Sequence, residues 1–282
     1  MEWNDACKRV QVDDGGPVRV VGAWSEDKLF VWHKYIQTTA MAMVGNPAWK
    51  AGLCYVDLFA GPGVCEIADT KRRIPGSPLI AAMAPKAFSR VLLSELDRTL
   101  ATACEERMKA AGVKNCSVYP GDSNEIISSI VKEIPKGALT LGFLDPEGLD
   151  VHFETVRRLA SAGRVDMLIL FADAYDALRN LEPLLDGADD RLDLMLGPES
   201  NWRDEVKALP NWEGNTLREY FSNKYIGQLR KHLGYMAADT KIVRGPRGPL
   251  YRLVFVSKHE RGLDFWKKVD AKDRHGQSGL FG

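Results

Sequence analysis

The chain has 282 residues, 45% of them hydrophobic, which suffices for one large α/β domain with a well-filled core. Thirty-eight Lys/Arg balance thirty-eight Asp/Glu, excluding a polycation overall, yet residues 224–282 carry 13 Lys/Arg against 5 Asp/Glu and hint at an anionic partner. No membrane-length apolar stretch occurs, MEWNDACKRVQVDDGG lacks a secretory apolar core, and five cysteines without a C-x-x-C pair argue against structural zinc; a cytoplasmic protein with no membrane association is expected.

Residues 1–27 are a polar, Gly-containing lead-in, predicted as an extension to a single domain over 28–282. The stretch 28–44 is predicted helical, because Leu29, Trp32, Ile36, Ala40 and Met43 recur near a 3.6 spacing. Apolar runs then alternate with amphipathic ones: strands at 54–60, 90–95, 116–119, 138–144 and 165–172, and helices at 78–86, 98–111, 123–133 and 151–162. Short Val/Leu/Ile-rich strands, each followed by a helix, call for a doubly wound, mostly parallel sheet in a three-layer α/β/α arrangement. Residues 186–213 interrupt the rhythm with acids, Gly-Pro, Leu-Pro and two tryptophans, and read as an inserted loop and helical segment. A helix at 217–232 follows, then β segments at 241–243 and 250–256. The GPRGP turn between these two is short, so they are expected to be antiparallel.

YVDLFAGPG (55–63) ends the first predicted strand with Asp57 and follows it with Gly61 and Gly63. In open α/β sheets the ligand crevice lies beyond such strand ends, and glycines there let backbone approach a ligand. A dinucleotide fingerprint would put a third glycine or alanine three residues after Gly63 and open a helix at once. Glu66 stands there instead, and the next helix is predicted only at Ser77-Pro78 after Gly76. A nicotinamide-linked oxidoreductase is therefore disfavoured. A carboxylate at a strand end is costly unless something positive pairs with it, which suits the sulfonium and ammonium of S-adenosylmethionine; the plainer alternative is that Asp57 caps the turn. Glu95 ends the second strand, placed to accept from ribose hydroxyls, with Asp97 as an alternative. Asp122 follows the third strand, near an adenine amine, and equally fits an N-cap for 123–133.

YVDLFAGPG, GSPLIA (76–81), the acid at 95, GDSNE (121–125), FLDPEGL (143–149) and PLYRLVFVSKH (249–259) together resemble the three-Cys-motif partner protein family, TcmP, which is itself similar to class I, Rossmann-like methyltransferases. The resemblance spans roughly residues 28–259. It implies a seven-stranded sheet whose final hairpin supplies the antiparallel strand, and S-adenosyl-L-methionine as cofactor. Asp57, Phe59, Ala60, Gly61, Gly63, Glu95, Asp122, Ser123, Asp145 and Pro146 would surround it, and a three-Cys-motif protein would be a partner.

LDPEG (144–148) ends the fourth strand and is similar to the D-P-P-aromatic motif of amino-methylating DNA enzymes. Asp145 and Pro146 match; Glu147 and Gly148 do not, which removes the motif aromatic. Methyl transfer is an in-line displacement accelerated by alignment and water exclusion. Asp145 and Glu147 are the candidate proton acceptors, with Asp173 and Tyr175 as positioners. Lys71, Arg72 and Arg73 in the interval 64–76 would cover the cofactor, touch an anionic substrate or form an ordinary surface loop. Trp202, Arg203, Lys207 and Trp212 would form a substrate lid or a satellite apolar cluster. His33 and Lys34 are placed facing the site. The expected activity is methyl transfer to a nucleic acid or a nucleic-acid-associated partner, the alternative being a cofactor-binding protein without transferase activity.

Overall fold

A computed structural model describes residues 1–270 apart from the side chains of Tyr175, Ala237 and Asp270; residues 271–282, the end of the basic segment, lie outside the described residues. The lead-in holds α1 (Trp3–Arg9) and β1 (Arg19–Val21), and α2 (Trp24–Met43) begins before the expected position 28. Trp3, Cys7 and Val10 are buried, and the Trp3 indole donates to Glu26 at 2.9 Å, so this segment packs into the core. The strand ending at the glycine loop is β2 (Leu53–Asp57). The interval 64–76, for which a surface loop was one expectation, folds as β3 (Val64–Ile67) and β4 (Arg73–Pro75), an antiparallel pair. Val64, Ile67 and Ile74 bury their side chains there. β1 joins β3 in parallel, Arg19 opposite Cys65, completing a three-stranded sheet.

The predicted alternation then follows as α3 (Ser77–Ala82), β5 (Arg90–Glu95), α4 (Arg98–Ala110), β6 (Cys116–Pro120), α5 (Ser123–Lys132), β7 (Leu139–Leu144), α6 (Phe153–Ser161) and β8 (Arg164–Phe171). A π-helical turn (Asp173–Ala177) leads into α7 (Leu181–Asp186), α8 (Arg191–Leu196), α9 (Trp202–Lys207) and α10 (Gly214–Leu233). The hairpin β9 (Ala237–Gly245) and β10 (Gly248–Ser257) and then α11 (Glu260–Asp270) close the described chain. The main sheet has seven strands in the order β6-β5-β2-β7-β8-β10-β9. Its first five strands are parallel, and β10 runs antiparallel to both β8 and β9. This is the class I methyltransferase-like fold expected from the sequence.

β2 and β7 are buried along their whole lengths, because helices cover both faces and leave no solvent side to reward alternation. The helices α2, α3, α4 and α11 adjoin one another on one face, and α5, α6, α8 and α10 on the other. Trp32 fastens α2 over the sheet centre, stacking on Phe143 with ring centroids 5.1 Å apart and donating its indole N–H to the Tyr55 hydroxyl at 3.1 Å. From β2 the chain moves outward through β5 and β6, then returns to β7 on the other side of β2. Strand order therefore reverses between β2 and β7, and their carboxyl ends open the crevice where ligands bind in such sheets.

Candidate active site

The loop after β2 is held from four directions. The Ala60 amide donates to the Ser94 carbonyl at 2.9 Å, and the Gly61 amide to Glu95 Oε2 at 2.8 Å. The buried Arg107 guanidinium donates to the carbonyls of Pro62 (2.8 Å) and Pro17 (2.7 Å) and pairs with Asp14. The Gly63 carbonyl accepts from the Gly76 amide at 2.8 Å. Gly61 and Gly63 adopt φ of +62° and +87°, which side chains resist. A Cβ on Gly76 would lie 3.0 Å from the Gly63 carbonyl oxygen, so the close crossing of the two chains leaves little room for a side chain there.

Asp57 is fully buried beneath this loop. It accepts from the Phe59 amide at 3.2 Å, from the Tyr55 hydroxyl at 3.1 Å and from the Ser77 hydroxyl. Burial, with a smaller contribution from the Asp145 charge, pushes its pKa up to about 7 despite these donors. Asp57 lines neither of the cavities below and shapes the loop from underneath, as the turn-capping alternative describes. The Ser77 hydroxyl is used on Asp57, and the N-cap of α3 is Gly76, one residue before the expected Ser77.

Two cavities adjoin at the sheet's carboxyl edge. The first, of about 730 Å³, has Phe59, Ala60, Gly61, Gly63, Asp145 and Pro146 in its walls. The second, of about 720 Å³, is lined by Glu95, Asp97, Asp122 and Ser123. Arg19, Phe59, Asp145 and Glu147 line both, and so mark the junction.

In the second cavity Glu95 spends one oxygen on Gly61 and the other on the Asp97 amide at 3.0 Å. Each carboxylate oxygen has a further lone pair to offer a hydroxyl. Asp97, the alternative ribose partner, caps α4 by accepting from the amides of Thr99 (2.7 Å) and Leu100 (3.1 Å). Asp122 caps α5, accepting from the Asn124 amide at 2.8 Å, while it still lines the cavity. The Ser123 hydroxyl is buried without a partner among the described residues. Leu96 is 71% exposed, and with Leu100 and Leu149 it gives the cavity an apolar wall. A carboxylate, an apolar plate and an orphaned hydroxyl in one cavity are groups that could hold an adenosine.

At the junction both sequence-predicted proton acceptors are already ion-paired. Asp145 accepts from Lys28 of α2, and Glu147 from Arg19 of β1. Burial is the largest influence on Lys28 and would lower its pKa, but the charge and hydrogen bond of Asp145, joined by Tyr251 and Cys65, together outweigh it and the ammonium titrates above its usual value. Lys28 and Arg19 were not found in the sequence. Lys28 sits in a helix read for its apolar spacing, and Arg19 reaches Glu147 only because β1 pairs with β3, a long-range contact without a local signature.

Other expected residues lie elsewhere. Asp173 is buried between Arg218 (3.2 Å) and Arg252 (3.3 Å) and lines neither cavity; the Tyr175 side chain lies outside the described residues. His33 is enclosed near Trp3, and burial pushes its pKa down to about 4. Lys34 pairs with Glu2 at 3.0 Å. Lys71, Arg72 and Arg73 pair with Glu66, Glu26 and Asp13, so they brace the small sheet. Trp202 is 1% exposed, donates to Asp193 at 2.9 Å and packs edge-on against Phe221. Arg203 pairs with Asp193 too. The segment expected as a lid thus seats one tryptophan in the core, while Trp212 is 48% exposed and Lys207 is exposed on α9.

No family model and no curated protein matches the chain. Solved structures do. Protein LPL1258 from Legionella pneumophila is 12% identical, with a TM-score of 0.51 over 89% of this chain and 97% of that one. An O-methyltransferase from Bacillus cereus in complex with SAH is 10% identical, TM-score 0.45, covering 90% of each chain. The O-methyltransferase TomG from Streptomyces achromogenes, in complex with SAM, is 13% identical, TM-score 0.41, over 81% of this chain and 80% of that one. At 12% identity the Legionella match speaks for shared architecture and nothing finer.

Proposed function

We propose that the protein is an S-adenosyl-L-methionine-dependent methyltransferase. The observation that carries this reading is the meeting of two cavities at Asp145 and Glu147, beyond the strand-order switch, one suited to adenosine and the other edged by the bare Gly61–Gly63 backbone. The cofactor would lie across the junction, Glu95 at its ribose, supplying an activated methyl group. The chain's own residues would align that methyl and exclude water. A nicotinamide dinucleotide fits less well, because Glu66 lies in β3 and no helix starts at the glycine loop to receive a pyrophosphate.

Membership of the three-Cys-motif partner family belongs to the same proposal, resting on the motifs at 55–63, 121–125 and 143–149, and it would bring a three-Cys-motif protein as partner. Within the described residues no helix is long and apolar enough to cross a membrane. A second reading, a cofactor-binding protein without transferase activity, is favoured by the occupation of Asp145 and Glu147 by cations.

Calorimetric titration with S-adenosylmethionine and with NAD tests the reading. Adenosylmethionine should bind and NAD should not; the reverse would end it. Transfer of a labelled methyl group to nucleic-acid, protein and small-molecule acceptors then separates the enzyme from the non-catalytic binder.

A further inference from the structure

The first cavity is walled for much of its extent by Val20, Trp24, Leu29, Leu170 and Leu250, and its polar groups are mainly donors. Both junction carboxylates are held by cations, each through one oxygen, which makes them weaker acceptors for a target amine. Tyr251 lines the same cavity, is 7% exposed, and its hydroxyl is buried without a hydrogen-bond partner among the described residues. The Lys28 ammonium lies 5.5 Å from the centre of that ring. Arg247, exposed in the turn between β9 and β10, contributes to the wall, as does Arg179. An orphaned hydroxyl in a cavity is costly unless a ligand completes it, and donors beside cations are completed best by an anion.

Resting on the methyltransferase reading, we propose that the methyl acceptor is a small organic anion. Its apolar, ring-sized body would fill the cavity, with a nucleophilic oxygen beside the Tyr251 hydroxyl and a carboxylate or phosphate at Arg247. The acceptor's hydroxyl gives up its proton to solvent at the cavity mouth, with Lys28 and Tyr251 favouring the oxyanion that remains. As its lone pair forms the O–CH₃ bond, the C–S bond breaks, and the bonding pair stays on sulfur as a neutral thioether. Lys28 and Tyr251 hold the incoming oxygen by donation and align it. A polynucleotide fits less well, because the few cations in this wall offer few of the phosphate contacts that duplex binding uses.

The test is a set of calorimetric titrations, with and without S-adenosylhomocysteine, using 4-hydroxybenzoate, 4-hydroxyphenyl phosphate, uncharged 4-hydroxybenzamide and a single-stranded oligonucleotide. At least one anion should bind about tenfold more tightly than the amide. Arg247→Ala should remove most of that preference, and Tyr251→Phe, which keeps the ring, should weaken both phenolic anions several-fold. Neither change should alter S-adenosylhomocysteine affinity. Equal binding of anion and amide, an unchanged preference in Arg247→Ala, or tighter binding of the oligonucleotide would overturn the proposal. Failure of S-adenosylhomocysteine to bind would count against the methyltransferase reading, leaving the anion preference to be judged from the titrations without it.

Discussion

Lys28 in α2 and Asp145 at the end of β7, 117 residues apart, form an ion pair whose side chains are 9% and 20% exposed. It ties the helix over the sheet to the strand end that forms the junction. Removing one partner of such a pair strands the other charge, at a cost of about 3 kcal/mol. Lys28→Ala should therefore lower the urea midpoint strongly, and Lys28→Ala/Asp145→Ala should recover much of the loss. A single-variant change below about 0.5 kcal/mol would mean that the pair behaves like a solvated surface pair.

Glu95 both fixes Gly61 and faces the second cavity. Charged hydrogen bonds are worth roughly 1.5–3 kcal/mol each. Glu95→Ala should therefore weaken adenosylmethionine binding about 100-fold by calorimetry, and unchanged affinity would remove Glu95 from the site.

The pKa of Asp57, raised to about 7, gives stability a direction with pH. Between about pH 4 and 7 the folded state keeps a proton that the unfolded chain has released. This group's contribution to stability therefore falls as pH rises through that window and levels off above it. Each realised unit of the shift is worth about 1.4 kcal/mol. Asp57→Asn should flatten the melting temperature measured from pH 5 to 8 relative to the parent, and parallel curves would contradict the assignment.

At Gly76 the obstacle is backbone, which cannot swing aside as a side chain would. Gly76→Ala should displace the glycine loop, costing about 1–3 kcal/mol of stability by overpacking and weakening cofactor binding at the same time. A variant with the parent's melting temperature and cofactor affinity would show that the crossing is looser than it looks.

Trp202 distinguishes a lid from a core residue. Trp202→Ala should cost about 3–5 kcal/mol of stability and leave adenosylmethionine affinity, measured below the melting transition, within about twofold of the parent. Loss of affinity with unchanged stability would restore the lid.

Much of the fold was legible in the sequence because its signals are local. Helix and strand periodicity, the Gly61–Gly63 loop and the acids at the ends of β5 and β6 all lie within short windows, and the cap at Asp122 follows from its own next two residues. What escaped depends on contacts distant in the chain. β1 and β3 pair across more than forty residues, turning the expected lead-in and loop into a small sheet that carries Arg19 to Glu147. The carboxylates in the motifs were found, but their partners were not. Nothing near Asp145 announces Lys28, and nothing near Asp173 announces Arg218 and Arg252. For Asp57 the sequence left two readings open, since a strand-end aspartate reads the same whether it faces the ligand or the hydroxyls of Tyr55 and Ser77.

The most direct measurement is a crystal structure of the protein grown with S-adenosylhomocysteine. Its ribose hydroxyls should lie within hydrogen-bond distance of Glu95, its adenine between Leu96 and the Asp122–Ser123 turn, and its sulfur at the junction beside Asp145. Density for the compound at any other place, or both cavities filled only by solvent at saturating concentration, would contradict the assignment.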